Sequence, residues 1–300
     1  MSRSHQQKQV SIGQWLYQSF LALAIYPSLW TAASLASLTY FVQEALDLPP
    51  DWRAVALIFA AALLPYNLDR LLDSYVQPIP DPKAQSYFRH PSIWLLLLVA
   101  ALAVGTLLSW APPLVRLVSC GGLVPLIYGL PLLPLGRGKN RRWYRLKDFP
   151  GAKAWIVAGI ITYALVAVPL AYAGGVFDQS AALTALFLLI LTGTNSHLFD
   201  IRDLNSDREK GVLTLPLLVG VGGNRLIWTF LNLSLLALLG RFWATGLTTP
   251  APEVVVPVIL INLVFIWLLS PETPRNAYSI GLDGCLFLPV LLTEYANSLD

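Results

Sequence analysis

The chain has 300 residues, of which 56% are hydrophobic and 12% are charged, and its mean hydropathy is +0.60. Soluble domains carry about 25% charged residues, so this composition excludes an ordinary soluble domain and indicates a protein of the lipid bilayer. The net charge is only +3, and no nucleic-acid recognition motif accompanies the basic residues, so nucleic acid is not expected as a partner.

Nine apolar segments are long enough to cross a bilayer, which takes about 20 mostly apolar residues. They are predicted at approximately 17–41, 53–72, 92–110, 112–134, 153–172, 181–199, 224–243, 253–269 and 276–296. Because lipid offers the backbone no hydrogen-bond partners, each segment must be a helix. The predicted fold is all-α, a polytopic bundle of about nine transmembrane helices in one domain, residues 1–300, with a polar N-terminal tail at 1–16.

The distribution of Lys and Arg predicts the orientation of the bundle. With a cytoplasmic N-terminus, nearly all basic residues lie on the cytoplasmic side, whereas Arg53 and Arg241 lie opposite. The positive-inside rule therefore places the N-terminus in the cytoplasm and the C-terminus outside. The chain is expected to be a multi-pass integral protein of the plasma membrane or an internal membrane, with membrane lipid as a partner.

The second predicted span ends in an acidic ridge, in the sequence LLPYNLDRLLDSY. Asp69 and Asp73 are four residues apart and share a helix face, with Tyr66 one turn before Asp69 and Asn67 beside it. Pro65 can kink the helix just before these acids and so widen the space between neighbouring helices, although a proline alone predicts only an ordinary kink.

The most basic stretch follows the fourth predicted span and reads GRGKNRRWYRLKDFPGAK. Two interpretations of it stay open. A cytoplasmic loop rich in Lys and Arg can simply set the topology or attract anionic lipid, and it can also bind an anion in a site.

A second acidic ridge ends the sixth predicted span, in the sequence NSHLFDIRDLNSDREKGVLTLP. Asp200, Asp203 and Asp207 have the spacing i, i+3, i+7 and are predicted to share one helix face. Three carboxylates on one face repel each other unless a cation gathers them, and their oxygens suit Mg²⁺ or Ca²⁺. The alternative is a solvated helix end, in which these acids interleave with basic residues such as Arg202 and Lys210.

The predicted spans also contain polar side chains, among them Asp283, His197, Asn232 and Asn262. Asp283 is expected either to face the bundle interior as a functional group or to cap a helix break between its flanking glycines. His197 lies three residues before Asp200, and a hydrogen-bonded packing role is favoured over a ligand role. Asn232 and Asn262 are predicted to form hydrogen bonds between helices.

Because the two ridges end spans four crossings apart, both are predicted at the cytoplasmic mouth of the bundle. Their summed negative charge would repel an anionic substrate unless divalent cations bridge protein and ligand, and Mg²⁺ typically binds through one or two carboxylates plus substrate phosphates. Basic groups would meet the remaining phosphate oxygens. Since the site opens into an apolar bundle, the rest of the ligand is expected to be a hydrocarbon chain, which describes a prenyl diphosphate.

The stretch DIRDLNSDREKGVLTLP resembles the second aspartate-rich motif of the UbiA superfamily of intramembrane prenyltransferases, including Gly211 and 214–216. The spans, and the acids after the second and sixth of them, extend the resemblance along nearly the whole chain. Tyr128 and Lys147 are similar to the ends of a segment after the fourth span in that family, and this chain has a longer connection between them. The first motif departs from the family pattern Asn-Asp-x-x-Asp-x-x-x-Asp, because Pro65 and Tyr66 replace its first two residues.

The resemblance implies a Mg²⁺-dependent enzyme that transfers a prenyl group from a prenyl diphosphate donor to a lipophilic acceptor, which is predicted to be aromatic. Two alternatives within the fold are a UbiA-type terpene cyclase and prenyl transfer to a non-aromatic acceptor. A divalent-cation transporter is a third alternative, from another class. Its carboxylates would lie near mid-membrane and in matched halves, whereas these ridges lie at the ends of spans.

The predicted site residues form three groups. The candidate catalytic residues and metal ligands are Asp69, Asp73, Asp200, Asp203 and Asp207. The candidates for diphosphate binding are Lys147, Lys83, Lys210, Arg202 and Arg89. The candidate pocket residues are Asn67, Tyr66, Tyr128, His197 and Asp283.

Overall fold

The computed structural model describes residues 11–76, 79, 81–124, 133–135, 142–144 and 149–299. The first half contains α1 (Ile12–Phe20, continued by a π-helical turn at Leu21–Ile25), α2 (Leu29–Ala45), α3 (Trp52–Val76), α4 (Pro82–Arg89), α5 (Ser92–Ser109) and α6 (Pro113–Ser119, continued by a 3₁₀ turn at Cys120–Leu123). The second half contains α7 (Ala152–Ala173), α8 (Gln179–Arg202), α9 (Leu204–Glu209), α10 (Leu215–Ala244), α11 (Pro252–Leu268), α12 (Arg275–Ala277, continued by a π-helical turn at Tyr278–Leu282 and a 3₁₀ turn at Cys285–Phe287) and α13 (Leu288–Asn297).

Strands in the described part of the chain are limited to one small hairpin between α6 and α7. Its strands β1 (Leu133–Leu135) and β2 (Arg142–Tyr144) pair antiparallel, with Leu133 opposite Tyr144. All other regular structure in the described ranges is helical, in agreement with the all-α class expected from the composition.

Six helices of the described residues are long and apolar enough to cross a membrane. They are Trp52–Leu72, Ser92–Ser109, Ala152–Ala173, Gln179–Arg202, Leu215–Ala244 and Arg275–Asn297. A seventh candidate is the pair Ile12–Ile25 and Leu29–Ala45, which is bent by 63°. Pro113–Leu123 and Pro252–Leu268 are shorter apolar helices. Eight of the nine predicted segments coincide largely with helix, and six or seven helices of the described residues have the length and composition of a span. The fourth segment, 112–134, is helical over Pro113–Leu123 and reaches strand β1, while 125–132 lie outside the described residues.

Local sequence explains where α8 begins and where α10 is broken. The carboxylate of Asp178 accepts a hydrogen bond from the Ala181 backbone N–H at 2.8 Å and so caps the start of α8. Helix α10 begins nine residues earlier than predicted and contains a break at Gly220, where φ is 76°. That left-handed conformation requires glycine, because a side chain there would be strained.

The core combines ring contacts with hydrogen bonds between helices. The rings of Phe41 on α2 and Phe187 on α8 lie 5.8 Å apart, edge to face. Asn232 on α10 donates to the Thr194 hydroxyl of α8 at 3.0 Å, and Asn262 on α11 donates to Asn232 at 3.3 Å. The predicted role of both asparagines is thus confirmed, and such bonds hold α8, α10 and α11 together where lipid gives helices little hydrophobic reason to associate.

Candidate functional site

The second acidic ridge lies on two helices that meet at Asp203. Helix α8 ends at Arg202 and α9 begins at Leu204, while Asp203 between them has φ −95° and ψ 11°. The predicted single helix face for the three acids is therefore wrong. Because the helix breaks there, Asp203 contacts different partners from those of Asp200 and Asp207. Asp200 and Asp207 are buried, with 3% and 5% of their surface exposed.

Lys153, the second residue of α7, lies between two of these acids. Its ammonium nitrogen Nζ is 3.2 Å from Oδ1 of Asp200 and 3.2 and 3.1 Å from the two carboxylate oxygens of Asp207. A buried carboxylate without a partner would cost several kcal/mol, so one ammonium shared by two carboxylates stabilises both. The Lys153 ammonium is therefore a cation, supplied by the chain itself, that lies between the carboxylates of Asp200 and Asp207.

Asp203 is held by two arginines. Arg202 donates from Nε at 3.0 Å and from Nη2 at 2.6 Å in a bidentate pair, and Arg275, which follows the loop after α11, donates to Oδ1. Burial alone would raise the pKa of the Asp203 carboxyl, but Arg202 and Arg275 outweigh it and lower this pKa to about 2. The pKa of Asp207 shifts the other way: burial raises it, and Lys153 opposes the rise only in part.

Of the two interpretations left open by the sequence, the described contacts agree with acids that are paired with basic side chains. Lys153, Arg202 and Arg275 together supply three positive charges for the three aspartates. Lys153 and Arg275 were missed as site residues. The signal for Lys153 was the position of a lysine at the start of an apolar span, where an ionisable group is a functional candidate.

Backbone geometry fixes Lys153 over the second ridge. The Gly151 N–H donates to the Leu213 carbonyl at 2.6 Å, which ties the start of α7 to the loop between α9 and α10. Both Gly151 and Gly211 have left-handed backbones, with φ of 70° and 69°, so both positions favour glycine. The loop returns to the ridge because the Val212 N–H donates to the Asp207 carbonyl at 2.9 Å. The loop residues Gly211 to Leu213 thus tie the start of α7, which carries Lys153, to the helix that carries Asp207.

The first acidic ridge lies on the last turns of α3. Asp69 is exposed and Tyr66 is partly buried, and both have interaction partners; the Asp73 side chain lies outside the described residues. Asn67 is fully buried and donates to the backbone carbonyls of Pro27 at 2.9 Å and Leu63 at 2.8 Å. These bonds fasten α3 to the corner between the π-helical turn and α2, and the place of Asn67 in the pocket stays a prediction.

A buried polar layer connects the two ridges. Arg70, the neighbour of Asp69, lies close enough to Arg202 and Asp283 for electrostatic interaction. Asp283 accepts hydrogen bonds from the Thr31 hydroxyl of α2 at 2.6 Å and from the Asn195 amide of α8 at 3.5 Å. Its partners lie on other helices, so the interior role is supported over the cap, although π-helical and 3₁₀ turns do flank it. Helices α2, α3 and α8 and the last span thus meet around this carboxylate.

His197 is a packing residue in this structure. It is fully buried, and its ring lies 4.3 Å from the Trp228 ring and 5.2 Å from the Trp155 ring, measured between centroids. Its Nδ1 is 2.9 Å from the Gly193 carbonyl oxygen, and because a carbonyl only accepts, Nδ1 carries the proton. These contacts support the packing interpretation over a ligand role.

The predicted diphosphate-binding residues are dispersed. Lys210 ends α9 beside Asp207. Arg89 donates to the Ser74 carbonyl at the end of α3 at 3.3 Å, and Lys83 donates to the side chain of Gln18 on α1 at 2.6 Å. Arg202 contacts Asp203, as described above. Lys147 and Tyr128 lie outside the described residues.

The donors present were compared with the needs of a divalent metal ion. Within the described ranges, no group of three or more His, Cys, Asp or Glu side chains is placed to hold one. Mg²⁺ does not need three, because it commonly binds through one or two carboxylates and the phosphates of a substrate. Asp200 and Asp207 provide such a pair around one cation position, and this donor set fits Mg²⁺ provided that the Lys153 ammonium moves away.

The bundle, with six helices long and apolar enough to cross a membrane, is that of a polytopic helical membrane protein. No protein-family model matches the sequence, and no curated protein matches it. Solved structures do share its fold. A UbiA homologue from Aeropyrum pernix K1 superposes with a TM-score of 0.65 at 13% identity, over 89% of this chain and 98% of that one.

Two further structures agree with this fold. A UbiA homologue from Archaeoglobus fulgidus bound to DMAPP and Mg²⁺ has a TM-score of 0.63 at 11% identity, covering 94% of this chain and 99% of that one. A digeranylgeranylglyceryl phosphate synthase has a TM-score of 0.55 at 14% identity, covering 92% and 96%. This chain therefore has the UbiA fold along nearly its whole length.

Proposed function

We propose that this protein is an intramembrane prenyltransferase of the UbiA superfamily, which transfers a prenyl group from a prenyl diphosphate to a lipophilic, aromatic acceptor in the presence of Mg²⁺. One observation carries the proposal: the chain shares its fold with a UbiA homologue bound to DMAPP and Mg²⁺. The three aspartates at the end of α8, at the junction and on α9 also have the spacing of the superfamily's second motif.

The reaction breaks the allylic carbon–oxygen bond of the donor, and the electron pair of that bond leaves with the diphosphate. A nucleophilic carbon or oxygen of the acceptor forms the new bond and loses a proton. Negative charge develops on the diphosphate in the transition state, so cations placed around it stabilise that state most. A bound Mg²⁺ would supply this charge stabilisation.

Asp69, Asp73, Asp200, Asp203 and Asp207 are the proposed metal-binding and catalytic residues. The buried pair Asp200 and Asp207 is the best supported of these, because both carboxylates already contact one shared cation. Lys147 and Lys210 are proposed to bind the diphosphate, together with the arginines of the layer between the ridges, Arg70 and Arg202.

The proposed topology has nine crossings with a cytoplasmic N-terminus. The bent pair and the two shorter apolar helices would then cross the membrane together with the six longer helices. Both ridges would open to the cytoplasm, where the soluble diphosphate product can leave.

Transfer to a non-aromatic acceptor is the second candidate, and the fold shared with a digeranylgeranylglyceryl phosphate synthase favours it over the remaining alternatives. Cyclisation of the donor is a third outcome that the same assay detects.

The test incubates the purified protein with radiolabelled dimethylallyl, geranyl, farnesyl or geranylgeranyl diphosphate, a panel of aromatic and glycerol-phosphate acceptors, and either Mg²⁺ or EDTA. A prenylated aromatic product that forms only with Mg²⁺ is expected. A labelled glycerol-phosphate product would select the second candidate, and metal-dependent diphosphate release with a cyclic hydrocarbon would select a cyclase. No release from any donor would contradict the enzyme proposal.

Matched variants connect the activity to the site. Asp207→Asn removes one of the two carboxylates around Lys153 and is expected to reduce turnover by at least about a hundredfold. Asp51→Asn is the control, because Asp51 pairs with Arg53 at the start of α3, the opposite end from the first ridge. Equal activity in the two variants would contradict the proposal that the second ridge belongs to the catalytic site.

A further inference from the structure

Lys153 occupies the position that a divalent cation would need. Its nitrogen lies within 3.2 Å of Asp200 and of Asp207, and both of these aspartates are buried. The two carboxylates belong to different helices, α8 and α9, and Lys153 reaches them from a third helix, α7. The side chain is 25% exposed, so it borders open space as well as the two acids.

An ammonium and a divalent metal ion cannot share this pair of carboxylates. Two cations held close together repel strongly, and the repulsion grows in the low dielectric of a buried site. Lysine carries its charge as a compact group on a flexible stem of four carbons, so the nitrogen can swing away while the backbone stays in place. Here the backbone is held by the bond from Gly151 to Leu213.

The charge of Asp203 does not depend on Lys153. Asp203 has its own bidentate pair with Arg202 and a further bond from Arg275. A rigid guanidinium fork fits a carboxylate better than a single ammonium does, so these contacts are the more durable ones. Lys153 is therefore the cation of the cluster best suited to leave.

We propose that Lys153 is an exchangeable internal cation. In the substrate-free protein it holds Asp200 and Asp207 together, and when a divalent cation takes its place the ammonium moves to a diphosphate oxygen. Displacing Lys153 without a diphosphate would leave an ammonium without an anion, so the metal ion binds weakly alone. A diphosphate supplies that anion, and binding of metal and diphosphate is therefore positively coupled. The inference rests on the proposed function and specifies how its site is loaded.

The test measures metal binding rather than turnover. Full-length protein in detergent is dialysed to equilibrium against ⁵⁴Mn²⁺, with and without inorganic pyrophosphate, and free Mn²⁺ is read from its electron paramagnetic resonance signal. Expressing the result against free Mn²⁺ removes the effect of Mn²⁺ that pyrophosphate binds in solution.

The wild-type protein is expected to bind Mn²⁺ weakly alone and at least about tenfold more tightly with pyrophosphate, a typical size for coupling between two sites. Lys153→Gln is expected to bind Mn²⁺ alone at least about tenfold more tightly than wild type and to show a smaller effect of pyrophosphate. Lys153→Arg keeps the charge in a group that holds carboxylates more firmly, so it should bind Mn²⁺ alone no more tightly than wild type. Arg53→Gln, which removes a cation paired with Asp51, should leave Mn²⁺ binding unchanged.

The outcomes separate this inference from the proposed function. If Lys153→Gln binds Mn²⁺ no more tightly than wild type while both bind it with pyrophosphate, the exchange is overturned and the proposed function stands. If no protein binds Mn²⁺ under either condition, the proposed function itself is contradicted. If Lys153→Gln does not fold, the wild-type measurements alone test the exchange. Equal Mn²⁺ affinity of the wild-type protein with and without pyrophosphate would overturn it.

Discussion

At the scale of single residues, the site is defined by how each buried charge is compensated. Asp200 and Asp207 share one ammonium, whereas Asp203 binds two guanidinium groups. The same residue type therefore has two electrostatic environments within eight positions of the chain. The pKa values outside the spans reflect this, because that of Asp203 is lowered and that of Asp207 is raised.

The lowered pKa of Asp203 predicts how stability depends on pH. A carboxyl with a pKa of about 2 in the folded state and about 3.9 in the unfolded state contributes roughly 2–3 kcal/mol at neutral pH. This contribution is complete above the unfolded pKa and is lost as pH falls from about 4 through about 2. Asp203→Asn should therefore lower the free energy of unfolding by that amount at pH 7, and the difference from wild type should shrink towards pH 2.

The measurement is thermal unfolding in detergent at a series of pH values between 7 and 2. Glu253→Gln is a suitable control, because Glu253 is exposed at the start of α11. A constant difference between Asp203→Asn and wild type at every pH would contradict the account, since it would show that the variant acts through packing and not through charge.

Asp283 gives a second prediction at this scale. Asparagine keeps an oxygen that can accept from Thr31 but removes the ionisable carboxyl that faces Arg70 and Arg202. Because an ionisable group within a span is usually functional, Asp283→Asn is expected to reduce prenyl transfer at least about tenfold while the protein stays folded. Thr31→Ser, which retains the donating hydroxyl, is the control. Wild-type activity in Asp283→Asn would reduce this residue to a packing role.

At the scale of elements, the contact between α8 and α10 depends on one small residue. A side-chain carbon added at Gly193 would lie 2.7 Å from the Trp228 ring, which also packs against His197. Gly193→Ala is therefore expected to lower the free energy of unfolding by roughly 1–3 kcal/mol, the usual cost of overpacking. Thermal unfolding in detergent measures it.

Gly159 provides the matched comparison for that substitution. It lies inside α7, and a side-chain carbon there would meet nothing within 4 Å. Gly159→Ala is expected to be neutral or to stabilise by up to about 1 kcal/mol, because alanine loses less conformational entropy in a helix than glycine does. Equal melting temperatures for the two variants would show that Trp228 moves aside at little cost.

At the scale of the whole molecule, the prediction concerns orientation. With nine crossings most Lys and Arg residues would lie in loops of one side, so the N-terminus is expected in the cytoplasm and the C-terminus outside. Green fluorescent protein should fluoresce when fused to the N-terminus, and alkaline phosphatase should be active when fused after Asp300. Active green fluorescent protein at both ends would require an even number of crossings and would remove one of the short helices from the membrane.

The positions of the apolar helices and of the two acidic ridges were predictable from the sequence, because apolar runs and the spacing of acids are local properties. Eight of the nine predicted segments coincide largely with helix, and Asp69 and Asp200 lie near the ends of α3 and α8 as expected. The single helix face did not follow from spacing, since the helix breaks at Asp203. A helical period does not reveal where a helix stops unless a strong stop signal such as proline is present.

Only the tertiary structure decided which side chain pairs with which aspartate. Lys153 reaches Asp207 across 54 residues, Arg275 reaches Asp203 across 72, and Thr31 reaches Asp283 across 252. These pairs form because packed helices bring distant positions together, and no local pattern encodes that packing. The sequence by itself determined a membrane bundle with two acidic helix ends. The packing of α7 against α8 and α9 determined that a lysine of the chain, and not only a metal ion, can hold the second of them together.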